Sequence, residues 1–350
     1  MNKVLLSDLN EISASKIIDW ERFRNKTILV TGANGMLPSY IVYALLYQNR
    51  EKKLNLKVIA QVRNLNRGQE TFKYFLEDSA LSLLEQNVCI PYSIDYPVNY
   101  IIHAASQASP KYYNVDPVGT LMANIEGTIN ILKLAEQKKC DSVLFFSSAE
   151  VYGQVNCEWI SESAYGYLDP TSIRSCYAES KRMGEQLCCS WNMQYGTHCK
   201  SVRPFHTFGP NMKLDDGRVF ADFVNNIIMN KDIVLKSDGS AKRAFCYVTD
   251  ATIAFFKILL DGGDGISYNV GNPFQNTSIK ELAQKLIKMF PKKNLKLIFD
   301  IKKNDLLRKS AVDSALPDVS KLNRLGWHPA VSVEEGFRRV ILFKESLGLE

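Results

Sequence analysis

From Thr27 onward the chain alternates short apolar runs with longer amphipathic stretches, the rhythm of βαβ units around a parallel sheet. The runs at 27–31 (TILVT), 57–62, 100–105, 142–147 and 199–202 predict buried strands. Helical spacing over 37–46, 122–137 and 177–193 predicts the helices between them. Past Gly209-Pro210 the rhythm loosens. Helices are expected at 219–229, 249–260 and 278–289, the last opened by a capping box of Ser278 and Glu281. Short strands are expected at 232–236 and 295–299, and a short helix over 317–325 that stops at Gly326. The pattern predicts an α/β fold, a doubly wound parallel sheet with a smaller C-terminal α/β substrate lobe. The approximate division is 1–180 and 181–350, interleaved, with 1–26 as an N-terminal extension.

Composition leaves this picture intact. With 46% hydrophobic residues the 350-residue chain can bury a large core, which excludes disorder. Eight cysteines are scattered without a C-x-x-C pair, so reduced thiols and a cytoplasmic location are expected. No run reaches the ~18 apolar residues of a membrane span. The first 26 residues carry Asp8, Glu11, Asp19 and Glu21 and do not read as a signal peptide. The net charge of +6 is dispersed, with Lys138-Lys139 and Lys302-Lys303 as its short clusters, so no nucleic-acid partner is expected. Four scattered histidines give no metal-ligand spacing.

The first strong chemical signal is Thr31-Gly32-Ala33-Asn34-Gly35-Met36-Leu37-Pro38, set between the first strand and the first long helix. Glycines there let the backbone turn tightly and approach a pyrophosphate at the helix N-terminus. Gly32, Asn34, Gly35, Met36 and Leu37 are therefore candidate dinucleotide contacts. An acidic residue closing the second strand would bind the ribose hydroxyls of NAD. Here that strand closes on Arg63-Asn64, with Arg67 behind and no carboxylate before Glu70. A guanidinium at that place pairs with a 2′-phosphate. NADP(H) is thus favoured, with NAD still possible.

The second signal is Tyr177-x-x-x-Lys181, which puts a phenol and an ammonium on one helix face. An ammonium beside a phenol is expected to lower its pKa, so that the tyrosine exchanges a proton with a substrate oxygen. Ser147-Ser148 close a strand where a hydroxyl reaches the crevice at the sheet's carboxyl edge. His103 reads as a packed histidine, His198 and His328 as surface residues and Cys176 as structural.

With these residues in place, the chain resembles the extended short-chain dehydrogenase/reductases, a Rossmann-fold family. The likeness is to their nucleoside-diphosphate-sugar epimerase, dehydratase, decarboxylase and reductase members. It runs through TGANGMLPS, HAASQASP, NIEGT, SSAEVYG, RSCYAESKR, RPFHTFGP, LDDGRVF, GSAKRAFCYVTD and YNVGNP. HAASQASP, LDDGRVF and KRAFCYV look closest to UDP-glucuronate decarboxylases. The resemblance implies Ser148, Tyr177 and Lys181 as catalytic residues, with Glu150 lining the sugar site. It implies cofactor contacts at Ala104, Ala105, Ser106, Asn124, Tyr177 and Lys181. Sugar-nucleotide contacts would fall at Ser106, Ser148, Ala149, Glu150, His206, Arg218 and Arg243. It also implies a homodimer through helices 122–137 and 177–193.

One departure bears on the reaction. Relatives that dehydrate carry an acid before the glutamate of SSAEVYG and decarboxylases usually carry Ser, whereas this chain has Ala149. A methyl group moves no proton. Together with Arg63 this points to an NADPH-dependent reductase of a dTDP- or CDP-linked 4-keto-6-deoxy sugar in surface polysaccharide (lipopolysaccharide) synthesis. The alternative is a UDP-glucuronate decarboxylase or 4-epimerase that keeps NAD bound. A non-catalytic nucleotide sensor is the remote third, disfavoured by the intact Ser148, Tyr177 and Lys181.

Overall fold

A computed structural model describes residues 1–215, 217–301 and 316–348. Lys302-Lys303 and Asp216 of LDDGRVF lie outside the described residues. Strands β1 (Thr27–Thr31), β2 (Lys57–Val62), β3 (Leu81–Glu85), β4 (Tyr100–His103), β5 (Ser142–Phe146), β6 (Cys199–Pro204) and β7 (Ser267–Val270) form one sheet. Every pairing in it is parallel, and the spatial order is β3-β2-β1-β4-β5-β6-β7. The order reverses between β1 and β4, which opens a crevice beyond their carboxyl ends. This is the expected doubly wound Rossmann-type architecture.

The central parallel strands are covered on both faces, so β1, β2, β4 and β5 are buried almost throughout and mostly apolar. The principal helices are α1 (Lys3–Ala14), α2 (Met36–Lys52), α3 (Leu65–Thr71), α4 (Pro117–Lys138), α5 (Cys176–Tyr195), α6 (Val219–Ile228), α7 (Val248–Asp261) and α8 (Ile279–Met289). Ile28, Val30, Val58, Ile102 and Leu144 pack with Tyr40, Leu45 and Phe255, which come from α2 and α7. Their neighbours Leu29, Ile59, Ile101, Val143 and Phe145 point the other way, onto Ile131, Leu134 and Cys188 of α4 and α5. The alternation assigns one helix layer to each face.

The expected strands and helices stand close to their places, and the expected capping box of Ser278 and Glu281 is formed. Further elements are additional, among them α3, the helix Val333–Glu345 and the following three. β3 is a half-exposed edge strand whose sequence, LSLLE, alternates too weakly to read. β7 is only four residues long. α1 packs Leu5, Leu9 and Ile12 into the main core, and its buried Asp8 accepts from the hydroxyls of Tyr40 and Tyr247, each at 2.8 Å. The 317–325 helix shrinks to Ser320–Asn323 because Leu316–Pro317 pairs instead with Trp159–Ile160. Because β6 and β7 complete the sheet begun by the first half, the two halves of the chain interleave.

Candidate active site

The glycine loop is shaped by close backbone approach. Gly32 has φ +61°, and a Cβ there would stand 2.7 Å from Ala105 Cα. Buried Gln61, unforeseen from the sequence, holds the loop: its Oε1 accepts from Gly32 N and its carbonyl from Ala33 N, each at 2.9 Å. Gly35 caps α2 without a side-chain bond, so the first-turn amides at Met36 and Leu37 have no partner within the helix. Thr31 Oγ1 accepts from the amides of Ala104 and Ala105, each at 3.1 Å, and so ties the ends of β1 and β4 together. His103 bridges Thr31 at 2.8 Å and Thr128 at 3.1 Å. Burial, helped by the Lys181 charge, holds its imidazole neutral with a pKa of about 3, which is the packed role expected of it.

These residues suit a dinucleotide. The cradle at Gly32 admits no side chain, and Ser106 Oγ and Asn124 Oδ1 are buried without hydrogen-bond partners. Unpaired buried polar atoms are costly unless a ligand satisfies them. Asn124 Nδ2 already donates to Ser180 Oγ at 2.9 Å, which aims the amide.

The far end of the crevice differs from the sequence expectation. Arg63 is exposed at the end of β2, but Asn64 is engaged: its Oδ1 caps α3 by accepting from Arg67 N at 2.9 Å. Carboxylates distant in sequence arrive here. Glu85 Oε1 accepts from Leu65 N at 3.0 Å, and the charge of Arg63 helps to lower the Asp116 carboxyl. Bonds from Gln107 and the Gly119 amide are the larger causes of that shift.

The reactive end is built on β5 and α5. Ser148 follows β5 and caps a short 3-10 turn, Ala149–Tyr152, accepting from Glu150 N at 3.2 Å. Tyr177 and Lys181 are both buried in the first turns of α5. Lys181 Nζ donates to Phe146 O at 2.6 Å and stands 5.8 Å from the centre of the Tyr177 ring. Burial brings its pKa down to about 7, against the pull of Cys188 and Glu185.

The Tyr177 phenol is held above its ordinary value. Burial is the main cause and the Glu150 carboxylate the next; a hydrogen bond with Ser148 and the charges of Arg218 and Arg174 pull the other way. The amine of Lys181 donates to a backbone carbonyl, and Ser148 and the two arginines are the groups that ease ionisation of the phenol.

On the sugar side, Glu150 is paired with Arg174 by two bonds of 2.9 and 3.2 Å. Arg174 stands 4.6 Å over the ring of Tyr113, which stacks on Tyr177 at 5.0 Å and 15°. Sequence reasoning missed Arg174 and Tyr113. The available signal was that Arg174 opens the recognised segment RSCYAESKR and that Tyr113 lies three residues past HAASQASP. Cys176, adjacent, has its thiol pushed up chiefly by burial and is no nucleophile.

Ala149 lies partly buried beside Glu150. His206 is held neutral at about 3 by burial and then by the charges of Arg243 and Arg218, which therefore border it. Arg218 begins α6, 5.0 Å from the Phe220 ring, and Arg243 lies on the short strand Lys242–Ala244. The structure thus brings Ser148, Glu150, Tyr177 and Arg218 to one centre, with His206 and Arg243 adjoining it.

Among the described residues no cluster of three or more His, Cys, Asp or Glu could hold a metal, and no helix is long and apolar enough to cross a membrane. The profile of the NAD dependent epimerase/dehydratase family matches residues 28–271. UDP-glucuronic acid decarboxylase 6 of Arabidopsis thaliana is 32% identical over 315 residues, covering 89% of this chain and 87% of that protein. UDP-glucuronic acid decarboxylase 1 of Xenopus tropicalis is 31% identical over 318 residues, 90% of this chain and 71% of that protein. Among solved structures, UDP-glucose 4-epimerase of Thermotoga maritima superposes with a TM-score of 0.76 at 22% identity. It covers 92% of this chain and 99% of its own. UDP-glucuronic acid 4-epimerase of Bacillus cereus also gives a TM-score of 0.76, at 21% identity over 92% of this chain and 99% of its own. A cradled glycine loop, Ser148 set against the buried Tyr177 and a matching profile over most of the chain agree: the protein belongs to the NAD-dependent epimerase/dehydratase family of nucleotide-sugar enzymes.

Proposed function

We propose that the protein oxidises C4 of a nucleoside-diphosphate uronate, with UDP-glucuronate the first substrate to test, and releases its carboxylate as CO₂. The observation that carries this reading is the convergence of Ser148 and the Arg218 charge on the Tyr177 phenol, beside a loop built for a dinucleotide. The likeness to UDP-glucuronic acid decarboxylases supports it over the reduction of a keto sugar.

In this reading Tyr177 accepts the C4 hydroxyl proton while Ser148 holds the oxygen. A nicotinamide bound along the glycine loop would take the C4 hydride and give it back to C4 once CO₂ has left, while Tyr177 returns its proton to the C4 oxygen, so the retained cofactor ends unchanged and the product is a nucleoside-diphosphate pentose. The C4 ketone is β to the C6 carboxylate, so the C5–C6 bond breaks with its electron pair passing to the ketone oxygen, and CO₂ leaves. Ser148 and Tyr177 stabilise the enolate oxygen that results. Loss of CO₂ needs no acid, which is why Ala149 does not forbid it; water supplies the later proton at C5. Arg218 and Arg243 supply positive charge for the diphosphate, and the neutral His206 offers one N–H between them.

Residues 1–180 would hold the cofactor and the second half mainly the nucleotide sugar. A homodimer through α4 and α5 is part of the proposal, supported by the exposed Val118, Met122 and Met183 on those helices. The proposed cofactor is retained NAD. A second reading, NADPH-dependent 4-ketoreduction, is favoured by the exposed Arg63 and by Ala149. Dinucleotide released from denatured protein separates them: bound NAD supports the first, and an empty site that takes up NADPH supports the second.

A further inference from the structure

The aromatic stack beside the reactive centre ends on a charge whose purpose packing alone does not supply. Arg174 lies on the 3-10 turn Ile173–Ser175, directly before α5. It makes two contacts at once. Its Nη1 and Nη2 donate to the two Glu150 oxygens at 2.9 and 3.2 Å, and its guanidinium carbon stands 4.6 Å from the centre of the Tyr113 ring. Tyr113 is fully buried, its hydroxyl donates to Ala108 O at 3.0 Å, and its ring lies nearly parallel to that of Tyr177 at 5.0 Å. The series Glu150, Arg174, Tyr113, Tyr177 is therefore continuous.

We propose that Arg174 is a positioning residue for Tyr177: it neutralises Glu150 beside the phenol and backs the Tyr113 ring that fixes the Tyr177 plane. Two arguments carry this. First, an unneutralised carboxylate near a phenol opposes loss of the phenolic proton, which the proposed C4 oxidation requires. The charged and titratable groups facing Tyr177 are Glu150, Arg174 and Arg218, with Tyr113 against its ring and Lys181 one turn along α5. Glu150 is the negative member, and Arg174 is the cation bonded to it. Second, only a planar, forked cation can satisfy both carboxylate oxygens and lie over a ring face, so lysine is a poor substitute. As a surface ion pair for stability the contact is worth little, because the Arg174 side chain is 51% exposed.

This inference rests on the proposed reading of Tyr177 as the group that takes the C4 proton. Its test uses the purified full-length protein, with its bound or added dinucleotide, turning over a nucleotide sugar. The variants are Arg174→Gln and Arg174→Lys, and kcat and KM are followed from pH 6 to 10. For Arg174→Gln we expect the acid limb of kcat to move up by about 1 pH unit and kcat at pH 7 to fall roughly tenfold. KM should change less than about threefold and the melting temperature by less than about 2 °C. Arg174→Lys restores the charge but not the fork, so its limb should return towards the wild-type position while kcat stays reduced. A wild-type limb in Arg174→Gln would overturn the inference and leave the functional reading standing. A rise in KM with kcat unchanged would also overturn it, making Arg174 a substrate contact. An inactive wild type would overturn the reading and this inference together.

Discussion

Tyr177 and Lys181 stand one turn apart on α5, yet their polar ends do not meet. The lysine amine donates to Phe146 O at 2.6 Å and lies 5.8 Å from the tyrosine ring centre. The pair is thus a buried base beside a buried acid, each restrained separately, with Ser148 and the arginines set against the phenol.

Burying Lys181 carries a stability cost with a definite pH dependence. Its amine releases its proton near pH 7 when folded but near its ordinary 10.5 when unfolded, so the unfolded chain binds more protons between those values. Stability therefore rises with pH across that window, and the full cost is present at and below pH 7. Lys181→Met should raise the melting temperature of the cofactor-free protein at pH 6.5 by about 2–4 °C, with the gain shrinking towards pH 10. Calorimetry of both proteins across that range checks it; a lower melting temperature at every pH would contradict it.

Tyr177→Phe removes the proton acceptor and keeps the ring that stacks on Tyr113. Turnover should fall by roughly 10²–10⁴-fold while nucleotide-sugar affinity, measured by calorimetric titration, stays within a few fold. Near-normal turnover would remove Tyr177 from the reaction.

Much of this was readable in advance, for physical reasons. Buried parallel strands leave long apolar runs, so β1, β2, β4 and β5 were legible. β3, at the edge and half-exposed, left none. The glycine loop announced itself because a tight turn constrains sequence locally. Gln61 did not, since its bond to Gly32 depends on two strands lying side by side. The same limit hid the surroundings of Arg63. The residues following β2 showed no acid, but Glu85 comes from the neighbouring strand and Asp116 from the cap of α4. Arg174 was visible as a letter in a motif; its pairing with Glu150 needed the fold.

Gly32→Ala places a methyl 2.7 Å from Ala105 Cα at a backbone angle of φ +61°. Either the loop or β4 must shift, so dinucleotide affinity should weaken by at least about tenfold and stability fall by about 1–3 kcal/mol. Gly196→Ala has a similar angle but nothing within 4 Å, so it serves as the control for backbone strain alone. Equal losses of dinucleotide affinity in the two variants would show that the close approach to Ala105 is immaterial.

Arg63→Asp tests the cofactor end. If Arg63 pairs with a 2′-phosphate, the ratio of NADPH to NADH dissociation constants should move tenfold or more in favour of NADH, as expected for charge-assisted bonds. Fluorescence titration of cofactor-free protein reads it. An unchanged ratio would leave Arg63 a surface charge near Asp116 and support NAD as the natural occupant.

The central claim is oxidation of a nucleotide uronate at C4 followed by loss of its carboxylate. The most direct measurement supplies UDP-glucuronate labelled with ¹³C at C6 to the purified protein without added cofactor, and follows labelled CO₂ together with the nucleotide product. The account predicts labelled CO₂ from the wild type and, in Tyr177→Phe, release slowed by at least about a hundredfold. A wild type that releases none, yet consumes NADPH with a nucleotide-linked 4-keto sugar, would contradict it.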